Sequence, residues 1–201
     1  TEQTIFCEMD EVQAQLYEKE KSSVRNLIMN NIDQHGFEKS AIVILKALNR
    51  LRLMSNHPCL VDPSYEGGSG KYDEIIRSIE NVIVENHKVL IFSSYVKHLN
   101  LIAGYLDQSG YKYSMLTGAT HDRKQVIERF QGDTENNIFL ISLKAGGVGL
   151  NLTSADYVFI IDPWWNPAAE NQAISRAHRI GQDKHVFVYR FITENSIEEK
   201  I

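Results

Sequence analysis

Two arginines, Arg176 and Arg179, stand near the end of the run NPAAENQAISRAHRIGQ at residues 166–182. With Gln172 they fall at i, i+4 and i+7 of a helix, so all three project from one face, beside an apolar stripe of Ala169, Ala173, Ala177 and Ile180. Two planar, bidentate guanidiniums presented together suit the phosphate oxygens of a polyanion. The competing role is complementing the helix dipole from the last turn, which contributes about 0.3–1 kcal/mol. Asn166 is a good N-cap, Pro167 fits the first helical position and Gly181 supplies the stop. Ahead of the helix, Trp164 and Trp165 lie on a short irregular segment; at least one is expected in the core and the other can face a partner.

Two glycine clusters invite a phosphate-binding reading. GGSGK, Gly67 to Lys71, fails as a P-loop: the first glycine would fall at Tyr65, Tyr72 follows the lysine, and no apolar strand leads in. A linker explains the same residues. LKAGGVGLN, Leu143 to Asn151, does follow an apolar strand, where a phosphate or ribose loop belongs. A dinucleotide fingerprint would need glycine at Leu152 and a substantial helix after it, and only LTSAD separates Asn151 from the next strand. A tight turn for strand-to-loop packing is the alternative there.

Small hydroxyls mark other strand ends: Ser93 and Ser94 in IFSSY, and Thr117 in MLTGAT, followed by Arg123 and Lys124. Such groups line a nucleic-acid backbone, where most contacts go to phosphates, or they cap helices. The net charge of −5 argues against binding nucleic acid by bulk electrostatics, so any contact must be focal. Cys7 and Cys59 have no CxxC spacing and the seven histidines no ligand spacing, so no metal site is expected. No stretch approaches the roughly 20 apolar residues of a membrane span, and the chain is expected inside a cell.

The elements that must position these residues follow from periodicity. After an opening strand at TIFCEM, helices are predicted from Asp10 to about Gln34 and from Lys39 to Asn56. SYEGGSG, Ser64 to Gly70, marks a boundary, dividing residues 1–68, a helical appendage, from residues 69–201. Beyond it the runs KVLIFSS, YSMLTG, NIFLISL, YVFIID and HVFVYRFI alternate with helical stretches, the pattern of an α/β parallel sheet covered on both faces. In such a fold the carboxyl ends of the strands carry the ligand.

Taken in order, LIFSSY, LTGATHDRKQVIERFQ, LISLKAGGVGLNLTSADYVFIIDPWWNP and QAISRAHRIGQ resemble the motifs of the second RecA-like lobe of Swi/Snf-type ATPases, translocases that move along duplex DNA. LRLMSNHPCLV and SGK resemble the segment entering that lobe, so the resemblance covers nearly the whole chain.

The resemblance implies that Arg176 and Arg179 act as arginine fingers, catalytic groups that reach a triphosphate held by the other lobe. It implies that Gly149, Asn151 and Gln172 bind the nucleotide, the first two near its ribose, and that Ser93, Ser94, Thr117, Ser142 and Lys144 follow the DNA backbone. ATP and Mg2+ would be held mainly by a first lobe, which carries the P-loop and which this chain lacks. The implied partners are double-stranded DNA, that N-terminal lobe of the same polypeptide, and a DNA-bound protein such as a polymerase or nucleosome. The implied place is cytoplasm or nucleoid in a bacterium and the nucleus in a eukaryote. Two positions depart from the pattern: Ser175 stands where many relatives carry an acidic residue, and Leu143 where some have threonine. The second lobe of an RNA helicase and a partner-docking module without catalysis are the alternatives.

Overall fold

In a computed structural model of the chain, residues 1–145, 151–177 and 185–201 are described. Six strands form one sheet in the order β1-β6-β5-β2-β4-β3. They are β1 Glu2–Cys7, β2 Val89–Ser93, β3 Ser114–Leu116, β4 Ile138–Ser142, β5 Tyr157–Ile160 and β6 Phe187–Thr193. β2 and β4 are apolar at almost every position and buried at all five residues, as strands covered on both faces must be. β2 pairs in parallel with β4 on one side and β5 on the other, and β3–β4 and β5–β6 are parallel too. β1 runs alongside β6: the Val188 N–H donates to the Thr1 carbonyl at 2.8 Å and the Glu194 N–H to the Cys7 carbonyl at 2.9 Å.

The helices are α1 Glu11–Asn56, α2 Gly70–Val84, α3 Val96–Gln108, α4 Arg123–Gly132 and α5 Pro167–Ala177. On one sheet face Leu90, Phe92, Phe139, Ile141, Val158, Ile160 and Val188 pack with Phe130 of α4 and Ala173 and Ala177 of α5. Residues between them in sequence, Val89, Ile91, Ile138 and Leu140, point to the opposite face, and α3 packs on β2 and β4. Each fully buried large side chain here contributes roughly 1.5–3 kcal/mol.

The chain divides into two compact units: Thr1–Ile5 with Ile75–Ile192, and Phe6–Glu74 with Thr193–Ile201. The expected boundary at residue 68 lies ahead of the Glu74 to Ile75 crossing. In the second unit Asp10 caps α1 through the Gln13 N–H at 2.7 Å. The helix was expected as two, and Gly36 is where it breaks: φ 78° and ψ 167° are not helical, and a positive φ suits glycine. The two segments then meet. Arg50 Nε lies 2.6 Å from Glu20 Oε1, and Tyr17, Val24, Ala47, Leu51 and Met54 form a shared core.

SYEGGSG is bonded structure and not the linker its composition suggests. The Tyr65 hydroxyl donates to the Gly68 carbonyl at 2.7 Å, Ser69 Oγ to the Asn56 carbonyl at 2.6 Å, and the Gly70 N–H to Gln13 Oε1 at 3.1 Å. A Cβ at Gly70 would sit 1.7 Å from the Glu8 carbonyl oxygen, so the close approach requires glycine. Lys71 follows, completely buried, with Nζ 2.6 Å from the Glu198 carboxylate and 2.8 Å from Asn56 Oδ1. A 3-10 turn, Ile197–Lys200, carries Glu198 to that position.

Candidate functional site

Strand order reverses around β2: β4, which comes later, lies on one side, and β5, later still, on the other. Ligands of open α/β sheets bind outside the carboxyl ends of strands at such a switch point. Here those ends carry Ser93 and Ser94 after β2, Ser142 to Lys144 after β4, and Asp162 after β5. Register brings two of the expected residues side by side, since Ser93 pairs with Ser142 across β2 and β4.

Their environments differ. Ser142 is buried, and its hydroxyl has no hydrogen-bond partner among the described residues. Lys144 is exposed and Ser94 half-buried. Ser93 is fully buried, and its hydroxyl is engaged: it donates to Asp162 Oδ2 and accepts the Tyr95 N–H at 3.0 Å. Thr117, half-buried, follows β3; its Oγ1 accepts the Ala119 N–H at 3.2 Å and its own N–H donates to Thr120 Oγ1 at 2.9 Å. Neither Ser93 nor Thr117 caps a helix. Tyr95 precedes α3 with no side-chain cap, and Asp122 caps α4 by accepting the Gln125 N–H at 3.1 Å. Arg123, in the first turn of α4, donates to the Ala145 carbonyl at 3.4 Å, next in sequence to Lys144.

Sequence reasoning missed the group beneath these residues. Asp162 is 1% exposed and His98 fully buried. The carboxylate accepts from Ser93 Oγ and, through Oδ1, from the Ser94 N–H at 2.9 Å, and His98 Nδ1 lies 3.1 Å from Oδ2. A carboxylate directly after an apolar strand, opposite a serine that ends the neighbouring one, was the available signal.

The helix α5 starts as expected: Asn166 Oδ1 accepts the Ala168 N–H at 3.0 Å, and Pro167 is its first residue. Glu170 in its first turn accepts from Arg190 Nε of β6, while Ala173 and Ala177 enter the core. Gln172 and Asn151 are exposed. Arg176 occupies a helical position, but its side chain, like the whole of Arg179 and Gly149, lies outside the described residues. Trp164 is 5% exposed, edge-on to Phe92 at 6.2 Å between ring centroids, and Trp165 is 57% exposed, so one tryptophan is core and the other faces outward.

Among the described residues no group of three or more His, Cys, Asp and Glu could hold a metal ion. The lysine of GGSGK is closed off by Glu198. The described residues therefore do not by themselves fit a magnesium–triphosphate. A cavity of about 970 Å3 belongs to the helical unit, lined by Tyr17, Val24, Ile28, Leu51 and Ile197, and includes none of the expected site residues. No described helix is long and apolar enough to cross a membrane.

A parallel sheet with helices on its faces and a polar carboxyl edge at the switch point defines a RecA-like α/β lobe. Residues 70–181 match the helicase conserved C-terminal domain. The chain belongs to that family, as the C-terminal lobe of a Swi/Snf-type ATPase. It is similar to the SWI/SNF-related matrix-associated actin-dependent regulator of chromatin subfamily A member 1 of Mus musculus, 35% identical over 213 residues, 98% of this chain and 20% of that protein. It is also similar to the putative ATP-dependent helicase/translocase YwqA of Bacillus subtilis, 36% identical over 208 residues, all of this chain and 22% of that one. The Sulfolobus solfataricus SWI2/SNF2 ATPase core in complex with dsDNA superposes with a TM-score of 0.83 at 32% identity, covering 99% of this chain and 42% of that one. The chain spans about a fifth of the length of these two curated relatives.

Proposed function

We propose that residues 69–201 act as the second ATPase lobe of a duplex-DNA translocase, with residues 1–68 as its helical appendage. Ser94, Thr117, Ser142 and Lys144 follow the DNA backbone, with Ser93 behind them, and Arg176 and Arg179 act on nucleotide charge. ATP and Mg2+ are held by a first lobe in the same polypeptide, whose P-loop supplies what the described residues lack. Gly149, Asn151 and Gln172 lie toward the nucleotide. Hydrolysis shifts the two lobes between open and closed states and so alternates their grip on DNA. A DNA-bound protein, a polymerase or a nucleosome, is the object moved.

The observation that carries this reading is the Ser142 hydroxyl: buried at the end of β4, beside Ser93 in register, and without a partner among the described residues. A buried hydroxyl left unpaired is costly, so one at a ligand-binding edge suits an incoming phosphate oxygen. The relatives named for chromatin and for translocation, and the solved core bound to duplex DNA, support the same choice.

The test uses the two-lobe parent. Arg179→Ala should lower DNA-stimulated ATP turnover by about two orders of magnitude or more with the fold intact. Lys144→Ala should weaken binding of unrelated duplexes alike, and log K should fall against log salt by only about 0.9 for each phosphate neutralised. Preference for one base sequence, or for single-stranded RNA, would overturn the reading in favour of another kind of lobe.

A further inference from the structure

The loop that follows β2 has no side-chain cap at the start of α3, yet it must hold Ser94 in place. What it has is one buried carboxylate. Asp162, at the end of β5, accepts both the Ser93 hydroxyl and the Ser94 N–H. His98, in the first turn of α3, lies with Nδ1 3.1 Å from the carboxylate oxygen that the Ser93 hydroxyl also meets. The strand ends are tied together around it. The Ile161 N–H donates to the Phe92 carbonyl at 3.1 Å, and the Leu143 N–H donates to the Ser93 carbonyl at 2.9 Å. Asp162 therefore ties the backbone at Ser94 to the end of β5 through the Ser94 N–H, beside the bond that the Tyr95 N–H makes to the Ser93 hydroxyl.

We infer that Asp162 is a positioning residue for duplex binding: buried against Ser93 and His98, it holds the β2–α3 loop so that Ser94 meets the DNA backbone. This rests on the proposed placement of Ser94 against DNA. The carboxylate touches no ligand and acts through the loop it anchors. Asparagine at this position keeps the shape and still accepts the Ser94 N–H, but its amide nitrogen faces the Ser93 hydroxyl or His98 as a donor, so the shared acceptor is lost.

The experiment measures duplex binding by the two-lobe parent without nucleotide, by fluorescence anisotropy, and then DNA-stimulated turnover against duplex concentration. Asp162→Asn should raise the dissociation constant and the half-saturating duplex concentration roughly tenfold, while turnover at saturating duplex stays within about twofold of the parent. A double-mutant cycle with Ser94→Ala separates positioning from general loosening. The two substitutions should be non-additive, the double variant binding no worse than the weaker single one. Additive losses, or an Asp162→Asn variant that binds like the parent although Ser94→Ala weakens binding, overturn the inference and leave the DNA reading standing. A Ser94→Ala variant that binds like the parent removes the DNA placement of Ser94, and the inference with it. If Asp162→Asn does not fold, Ser93→Ala, which deletes one donor and leaves the carboxylate, takes its place with the same expected and the same refuting outcomes.

Discussion

Replacing Lys71 by methionine isolates the buried ion pair of the helical unit. Lys71 and Glu198 are 0% and 1% exposed at the side chain, and Nζ lies 2.6 Å from the carboxylate. Methionine matches the length of the lysine stem, so little cavity is created. What remains is a buried carboxylate with the Thr193 N–H, at 2.9 Å, as its remaining donor. Removing one partner of a buried pair costs about 3–5 kcal/mol, against about 5–15 kcal/mol for the whole stability of a domain. At about 2–4 °C per kcal/mol for a chain of this size, the melting midpoint should fall roughly 6–20 °C. Circular dichroism reads the shift, and amide hydrogen exchange over residues 193–200 locates it. Adding Glu198→Gln removes the stranded charge while keeping an acceptor for Thr193, so the double variant should regain most of the loss. A Lys71→Met protein melting within about 2 °C of the parent, or a double variant no better than the single, refutes the reasoning.

Burial pushes the Cys7 thiol up from 9.0 to about 12, against a lowering influence from Lys71. The unfolded chain releases that proton near the lower value and the folded chain holds it, so stability should decline as pH rises from about 9 toward 12, with a limiting slope of about 1.4 kcal/mol per pH unit. Cys7→Ala should make that alkaline decline shallower in urea melts at stepped pH; an unchanged slope contradicts the assignment. Gly70→Ala should cost at least about 2 kcal/mol, because its Cβ would meet a backbone oxygen that cannot rotate away. In contrast Gly104→Ala, inside α3 with nothing within 4 Å of the added carbon, should raise stability by about 0.5–1 kcal/mol. Denaturant melts of the pair read both signs.

The elements were legible because their signals are local. β2 and β4 declared themselves by unbroken apolar runs, and α5 by Asn166, Pro167 and the alanine stripe. The RecA-like sheet followed from their alternation and from motifs spaced along the chain. What the sequence concealed depends on distant pairs. Nothing around Lys71 points to Glu198, 127 residues on, and its glycine-rich approach reads as a linker although Tyr65, Ser69 and Gly70 in it are hydrogen-bonded. Asp162 likewise shows its role only when β5 lies against β2, since its partners are 64 to 69 residues away. Ser93 illustrates the limit from the other side: its type and place suggested a surface contact, but a buried acceptor claims its hydroxyl.

The pairing of β1 with β6 sets a schedule for making the protein. Thr1 and Val188 are bonded across the sheet edge, so of this sheet's strands the first to be synthesised must wait for the last. At about 5–20 residues per second that wait is roughly 10–40 s. During it β1 is a lone strand with open hydrogen-bonding groups on both sides, able to pair with a stranger. The polar residues Glu2, Gln3 and Thr4 that begin it make it a poor hydrophobic template for such a match. β1 is thus suited to waiting as much as to pairing, and the polar residues at its start limit mispairing before the rest of this sheet exists.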